Sequence, residues 1–153
     1  MKAETNYFGT IDIADEKVIK LEKGMIGFPE LKHFGLIYDE EKGLENSKIL
    51  WLQSLDDGDF AFPVMMPHLV KDDYKPTVND EILSPLGDLN DENTFILVTV
   101  TVPKNPKFFT VNLKAPIVIN TDNMKGTQVI VEDDYPIKYK VESLSKQEEK
   151  AGE

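Results

Sequence analysis

The sequence predicts a mostly β protein: a small closed or nearly closed antiparallel β-barrel with one or two short helical turns. Apolar and polar residues alternate with a period of two in the best-patterned segments, as expected for strands with one buried face. Clusters of turn residues separate these segments at short intervals, and helical periodicity is weak. Many short strands at close spacing are typical of a barrel, because closure leaves no strand edge unpaired.

The strand pattern is clearest in the C-terminal half. Residues 110–120 predict one half-buried strand, because its apolar side chains share a face: Val111, Leu113, Ala115, Ile117 and Ile119. Residues 94–102 are rich in β-branched side chains and should pair with this strand as a hairpin across the turn cluster 103–107. A turn at 121–126 leads to a third strand at 127–131.

The N-terminal half carries shorter strands. Residues 7–13 and 17–21 are separated by a gap of hairpin length, Ala14-Asp15-Glu16. Three further strands are expected at residues 34–38, 49–55 and 60–66. Pro63 lies inside the last of them and removes a backbone donor, which predicts an edge strand or a bulge there.

The sequence predicts a single domain. Residues 1–141 are expected to form the barrel, with helical turns near 67–73 and 84–91. Residues 142–153 are polar and are predicted to be a flexible tail. A chain of 153 residues can bury a core without disulfides.

The charge composition bears on the kind of partner. There are 28 acidic and 17 basic side chains, a net charge of −11, and every basic residue is lysine. Nucleic-acid binding needs a cationic surface and favours arginine, so we expect no direct nucleic-acid binding. A basic protein is a better electrostatic match. The alternative, that acidity only keeps the protein in solution, stays open.

The expected location of the protein rests on the absence of an apolar leader, of a membrane-spanning segment and of cysteine. The N-terminus has no apolar leader, and the longest apolar stretch, residues 95–102, is interrupted by Thr99 and Thr101. A membrane helix needs about 20 apolar residues, so no membrane contact is expected. The chain has no cysteine, which fits a reducing compartment. We therefore expect a cytoplasmic protein.

Catalytic and metal-binding motifs are not apparent. His33 and His68 have no cysteine beside them and are interpreted as surface or loop residues. Residues 56–59, Asp-Asp-Gly-Asp, lack the alternating ligands of a calcium loop and are better explained as a tight turn. We expect no enzyme activity, no cofactor and no metal.

A glycine-containing loop follows the second predicted strand. Gly24 and Gly27 flank Met25 and Ile26, and Phe28-Pro29 comes next. This pattern indicates a bend that places an apolar loop against one end of the barrel. Ordinary closure of the core is the favoured reading of these residues.

These motifs together resemble the flagellar assembly factor FliW family, from about Tyr7 to Tyr139. The most specific part is residues 112–117, Asn-Leu-Lys-Ala-Pro-Ile, followed by Asn120 and Gln128. The other matching residues are Phe8-Gly9, residues 24–29, Leu52-Gln53-Ser54, Phe60-Ala61-Phe62, Pro67, Tyr74, residues 100–103, the rest of the run 110–120 and Val129-Ile130. From the residues alone, Asn112, Asn120 and Gln128 are expected to form hydrogen bonds at strand ends.

The resemblance implies a function by partner exchange. Proteins of this family bind flagellin in the cytoplasm, and they bind the RNA-binding translational regulator CsrA and stop it from repressing flagellin synthesis. Competition between the two partners would couple flagellin synthesis to export. The alternative is a chaperone-like protein that binds flagellin without this regulation.

Candidate partner-binding residues fall into two groups. The acidic group contains Asp72 and Asp73, beside Tyr74 on an expected surface turn, and Glu132, Asp133 and Asp134. The three consecutive carboxylates should lie at a strand end, exposed and unneeded by the fold, and suit a basic partner such as CsrA. The apolar group, suited to flagellin, contains Phe62, Met65 and Met66, although these side chains would serve equally well as core residues.

Overall fold

The structure, a computed structural model, describes residues 1–39, 41–44, 48–102 and 108–141. Eleven strands occur in these residues: β1 Lys2–Thr5, β2 Gly9–Asp12, β3 Ile19–Leu21, β4 His33–Ile37, β5 Leu50–Ser54, β6 Ala61–Met65, β7 Thr94–Thr101, β8 Phe109–Val111, β9 Ile117–Asn120, β10 Lys125–Gln128 and β11 Tyr139–Val141. One α-helix is present, α1 Asp80–Leu83, and short 3₁₀ helices occupy Asp15–Lys17, Pro67–Leu69 and Ser84–Leu86. The predicted helical turns at 67–73 and 84–91 are confirmed in their first residues.

Seven strands close into a barrel in the order β7-β6-β5-β4-β3-β10-β9, with β9 pairing back to β7. The predicted mostly β, closed-barrel fold is confirmed. All neighbours are antiparallel except β3 and β10, which run parallel with Lys20 opposite Lys125. Closure gives each of these seven strands a neighbour on both sides.

The predicted hairpin between residues 7–13 and 17–21 is wrong. Strand β2 pairs with β1, whereas β3 pairs with β4 and β10. The turn that joins β1 to β2 is fixed by Thr5, whose hydroxyl accepts from the Phe8 N–H and donates to the Gly9 carbonyl. Residues 14–16 were expected to form a hairpin turn. They instead lead into the 3₁₀ helix Asp15–Lys17.

Residues 110–120 form two strands, so the prediction of one strand is wrong. Strand β8 ends at Val111 because the Asn112 Oδ1 accepts hydrogen bonds from the Lys114 and Ala115 N–H groups, which turns the chain before β9. The predicted apolar face is nevertheless buried throughout. On the opposite face Val118 and Asn120 are also buried, since a further apolar cluster with Leu86 and Val129 covers them.

The expected hairpin of β7 and β8 is present as antiparallel pairs, Val100 with Val111 and Thr101 with Thr110. Its turn, residues 103–107, lies outside the described residues, as does the predicted tail 142–153. The third strand begins earlier than predicted and ends at Gln128. Beyond it, the Val129 and Val131 N–H groups still bond to the Pro116 and Lys114 carbonyls.

Two large apolar clusters stabilise the molecule. The first includes Phe34, Leu52, Ile117 and Ile119 and is contributed mainly by barrel strands. The second packs β8 and β11 against β6 and β7, with Met65, Tyr74, Val98, Phe109 and Val141 among its members. Each large side chain that is fully buried contributes about 1.5–3 kcal/mol. Across the part of the chain that the structure describes, no helix has the length and apolar character needed to span a membrane.

Candidate partner-binding surfaces

The barrel wall opens into a cleft where β6 and β7 separate. These strands pair only through Val64 with Thr99 and Met65 with Val98. A cleft of about 290 Å³ lies at the opening. Its lining consists of Met25, Ile26, Phe62, Pro63, Thr99, Val100, Thr101, Asn112, Ala115 and Gln128.

Pro63 marks the point where this opening begins. The prediction of an edge strand is wrong for β6 as a whole, because β6 pairs with both β5 and β7. Among the described residues, however, the half of β6 before Val64 pairs with β5 alone. Pro63 has no N–H to donate, but no hydrogen bond to β7 is lost, because the β6–β7 pairing involves only Val64 and Met65 of β6.

The glycine loop, residues 24–29, forms one wall of the cleft. Met25 and Phe28 exchange backbone hydrogen bonds of 3.2 and 2.8 Å around a tight turn in which Gly27 has φ +89°. Gly24 has φ +70°, and a Cβ there would lie 2.6 Å from the Phe28 carbonyl oxygen. The turn buries Met25 in the core and leaves Ile26 50% exposed at the cleft. The predicted apolar loop is therefore partly core and partly surface.

A single amide side chain fixes the loop to the opposite wall. The Gln128 Oε1 accepts a 2.9 Å hydrogen bond from the Ile26 N–H, and its Nε2 donates to the Ala115 carbonyl at 3.1 Å. Asn112 shapes the same wall through the turn described above. The expected hydrogen-bonding roles of Asn112 and Gln128 are confirmed, and Asn120 likewise donates to the Leu86 carbonyl.

A second surface, here called the acidic face, combines the two predicted acidic segments, which are far apart in sequence. The rings of Tyr74 and Tyr135 pack edge to face with centroids 4.7 Å apart. The Asp133 carboxylate accepts hydrogen bonds from the Thr77 N–H at 2.7 Å and from its hydroxyl at 3.2 Å. Asp72 and Asp73 are thereby brought to the same side of the molecule as residues 132–134.

The carboxylates of the acidic face differ in their environments. The hydrogen bond from the Thr77 N–H is the main cause that holds the pKa of Asp133 below its usual value. Asp73 lies 3.0 Å from the Lys71 ammonium, which lowers the pKa of its carboxyl in the same direction. Asp72, Glu132 and Asp134 are exposed. These three are the carboxylates best placed to meet a cationic partner.

The bend at residues 112–116 connects the cleft and the acidic face. Asn112 and Ala115 line the cleft. Between them, the Leu113 carbonyl accepts a 2.7 Å hydrogen bond from the Tyr74 hydroxyl, and the Lys114 ammonium donates to the Asp133 carbonyl at 2.7 Å. One short segment of chain is therefore in contact with both surfaces.

Comparison with known proteins identifies the family. The chain matches the FliW protein family over residues 2–141. It belongs to the FliW family. The flagellar assembly factor FliW of Lachnospira eligens is 42% identical over 151 residues, which cover 97% of this chain and 99% of the relative. That of Thermotoga neapolitana is 43% identical over 133 residues, which cover 86% of this chain and 87% of the relative.

The fold agrees with this assignment. A crystal structure described as that of the flagellar assembly factor FliW matches with a TM-score of 0.78 and 30% identity, covering 93% of this chain and 96% of the other. The resemblance predicted from the motifs is confirmed. Most of the cleft lining comes from the runs on which that resemblance rests, including the glycine loop, Phe62, residues 112–115 and Gln128.

The structure places the predicted site residues of this FliW family member in different environments. Met65 and Tyr74 are buried, at 0% and 3% exposure, so the expected surface position of Tyr74 is wrong and neither side chain offers a contact surface. Phe62 lines the cleft. Met66 is half-buried and packs against the barrel core. The Asp133 carboxylate accepts two hydrogen bonds from Thr77, so it differs from Glu132 and Asp134, and the expectation that the fold does not need these three carboxylates stays a prediction.

Some surface residues were missed from the sequence. Ile26 lies at the cleft, and Val102 and Ile130 are 61% and 65% exposed. The signal for Ile26 was its position next to Gly27 in a short loop, because the central residues of a tight turn lie at the surface. Val102 and Ile130 sit at strand ends, where alternation no longer predicts burial.

The histidines occupy local structural positions. The His33 Nδ1 lies 3.0 Å from the Asp56 carboxylate, and the His68 Nε2 lies 3.2 Å from the Tyr74 carbonyl oxygen. The predicted tight turn at residues 56–59 is closed by the Phe60 N–H, which donates to the Asp57 carbonyl, and Asp56 links this turn to the Lys32 N–H. Within the described ranges, no group of three or more His, Cys, Asp or Glu side chains could hold a metal ion.

Proposed function

We propose that this chain acts in the cytoplasm as a flagellar assembly factor that binds flagellin and the translational regulator CsrA, and that it antagonises CsrA. A role in flagellar assembly follows from its family, whose relatives carry that name. The observation that carries the proposal is the pairing of an apolar cleft and an acidic face across one bend, residues 112–116.

Flagellin binds at the cleft in this proposal. An amphipathic helix or extended segment places apolar side chains in a groove, and Ile26 and Phe62 offer such a surface. The cleft also presents polar groups from Thr99 and Thr101, which can fix the orientation of a bound backbone. Met66 packs against the barrel core and is not part of the cleft lining.

CsrA binds at the acidic face. An RNA-binding protein carries a cationic surface, and Asp72, Glu132 and Asp134 present exposed carboxylates that form no ion pair with a described residue. Asp73 contributes less, because Lys71 already pairs with it.

The shared bend explains how two partners could compete. A ligand that spreads the cleft would move Asn112 and Ala115 and, through Leu113 and Lys114, shift Tyr74 and Asp133. Flagellin binding would then weaken CsrA binding by the same factor as CsrA weakens flagellin binding, as linkage requires.

The deciding experiment is a binding titration with purified flagellin and purified CsrA, separately and in competition. Ile26→Glu should weaken flagellin binding at least tenfold, because it places a charge in the apolar cleft. Ile137→Glu is the matched control: Ile137 is also exposed, lies outside the cleft lining and should leave flagellin affinity unchanged. Equal losses for both variants would argue against the cleft.

The CsrA arm is tested by charge reversal. Glu132→Lys with Asp134→Lys should weaken CsrA binding by about 1–3 kcal/mol, whereas Glu16→Lys with Asp91→Lys changes the same net charge elsewhere and should have little effect. Association should also slow as salt rises from about 0.05 to 0.5 M. Flagellin binding without any CsrA binding would instead support the chaperone-like alternative.

A further inference from the structure

A pair of lysines faces each other across the only parallel pairing among the described strands. Lys20 of β3 and Lys125 of β10 are register partners, so their side chains leave the same side of the sheet as neighbours. Like charges directly opposite in a sheet are destabilising. The fold nevertheless places them together, and Lys23 follows two residues after β3 ends.

These lysines are not neutralised by the part of the chain that the structure describes. None of the three forms an ion pair with a described residue, although Glu22 lies in the same lining. Lys71, by contrast, pairs with Asp73. In a chain with 28 acidic side chains, a cluster of three cations without an ion pair is unexpected.

The lysines surround a small pocket with an apolar wall. The lysine pocket, of about 50 Å³, is lined by Lys20, Glu22, Lys23, Ile82, Pro85, Leu86, Lys125, Gly126 and Thr127. Ile82 belongs to α1 and Leu86 to the 3₁₀ helix after it, so these two helices form the apolar side. Leu86 is buried and Ile82 is 40% exposed.

The lining limits which ligand would fit. The apolar wall suits a small aliphatic side chain, and the ammonium groups suit a carboxylate beside it. A nucleic acid is a poor match, because the protein carries a net charge of −11 and lysine lacks the bidentate grip of arginine.

We propose that the lysine pocket is a binding site for an acidic protein segment, in which a glutamate or aspartate side chain bridges Lys20 and Lys125 while an adjacent aliphatic side chain contacts Ile82. Binding relieves the repulsion between the two ammonium groups, which gives the pocket a preference for anions that a flat lysine patch lacks. The site is separate from the cleft and the acidic face, and it does not depend on either proposed partner.

The test uses the isotope-labelled full chain and a synthetic peptide of alternating glutamate and leucine. A peptide of alternating glutamine and leucine is the matched probe. In about 0.15 M salt, which screens the overall negative charge, the glutamate peptide should shift the amide resonances of Lys20, Lys125 and Gly126. Lys20→Gln with Lys125→Gln should lower its affinity at least tenfold. Lys2→Gln with Lys17→Gln removes the same charge from exposed positions elsewhere and should leave the affinity unchanged.

Three results would overturn the proposal. The glutamine peptide could bind as tightly, the two lysine double variants could lose affinity equally, or inorganic phosphate at the same concentration could produce the same shifts. The Lys20 and Lys125 variant should melt at the same or a higher temperature, because it removes a repulsive pair. If it unfolds instead, Ile82→Ser keeps both lysines and should still lower peptide affinity at least threefold; an unchanged affinity would contradict the proposed site.

Discussion

Two sides of the barrel are stabilised in different ways. At the turn between β5 and β6, here called the polar turn (residues 53–60), Asp56 accepts hydrogen bonds from the Lys32 and His33 N–H groups at 2.7 and 2.8 Å. The Gln53 Nε2 donates to the carbonyls of Ser54, Gly58 and Phe60. Backbone groups from two neighbouring segments are thus held by buried or half-buried side chains.

The cleft side has far fewer such links. The glycine loop is joined to the opposite wall through Gln128, and β6 meets β7 over two residue pairs. Ile26 and Phe62 remain accessible there. Regions with fewer buried contacts open at lower free energy, and binding surfaces are commonly found among them. The difference indicates that the polar turn contributes mainly stability, whereas the cleft is suited to recognition.

The largest loss of stability is expected from Gly58→Ala at the polar turn. A Cβ at this position would lie 1.8 Å from the Glu4 carbonyl oxygen, so the β1–β2 hairpin must move away. We expect a loss of about 3 kcal/mol in the free energy of unfolding, or roughly 10 °C in melting temperature. Tyr7 stacks on Trp51 at 6.2 Å, so displacement of the hairpin should also shift the fluorescence of this single tryptophan.

The matched control is Gly27→Ala in the glycine loop. Gly27 has φ +89°, but a Cβ there would have no neighbour within 4 Å, so the cost should be limited to about 1 kcal/mol of backbone strain. Equal losses for the two variants would remove the proposed contrast between the two sides.

A pH-dependent effect is expected at Asp56. Burial disfavours its charged form, but the Lys32 and His33 N–H groups and the His33 ring outweigh burial and hold the pKa of Asp56 below its usual value. A carboxyl with a lowered folded pKa stabilises the protein above its unfolded pKa, and this stabilisation is lost as pH falls through the folded value. Asp56→Asn should therefore cost about 1–2 kcal/mol at pH 7 and almost nothing below the folded pKa.

Urea unfolding at a series of pH values measures this dependence. Asp59→Asn, in the same turn but exposed, is the control and should change stability little at any pH. A penalty for Asp56→Asn that stays constant down to pH 2 would show that the carboxylate charge is not what holds the turn.

A smaller loss of stability, with a larger effect on recognition, is expected at Gln128. Gln128→Ala removes the hydrogen bonds to Ile26 and Ala115 and should cost about 1 kcal/mol. Gln128→Glu keeps an acceptor for the Ile26 N–H but loses the donor to Ala115. If the loop is positioned by its bond to Ile26, flagellin affinity should fall more for alanine than for glutamate. The reverse order would place the important bond at Ala115.

The cleft could be predicted in its parts but not in its assembly. Pro63 indicated an incomplete ladder, and Gly24 and Gly27 indicated a turn. The opening itself depends on where the β6–β7 pairing stops, at Val64 and Thr99, and on the approach of the glycine loop, and no local pattern specifies these contacts. Strand alternation places Phe62 and Met65 on opposite faces of β6, so the single apolar group expected from the sequence divides between two clusters. It could not show that β8 and β11 cover the second face and bury Met65 as well.

The environments of the acidic segments also could not be predicted from local sequence. Glu132, Asp133 and Asp134 are alike in sequence, and their difference comes from Thr77, 56 residues away from Asp133. Tyr74 looked exposed because charged residues surround it, yet its ring packs on Tyr135 and its hydroxyl bonds to Leu113. Composition and local pattern predict the barrel well, whereas the surfaces depend on contacts between distant segments.

The smallest effect on stability is expected when the exposed carboxylates of the acidic face are reversed. Glu132→Lys with Asp134→Lys should change the free energy of unfolding by no more than about 0.5 kcal/mol, because neither side chain is needed to hold the loop. Asp133→Lys should destabilise the protein more than the double variant does, since it removes the acceptor of both Thr77 hydrogen bonds. Urea unfolding at pH 7 separates the two cases. If the double variant is as unstable as Asp133→Lys, the new lysines are affecting the fold, and weaker CsrA binding by that variant could not be assigned to the interface. If only Asp133→Lys is destabilised, the double variant isolates the recognition role of the acidic face from its structural role.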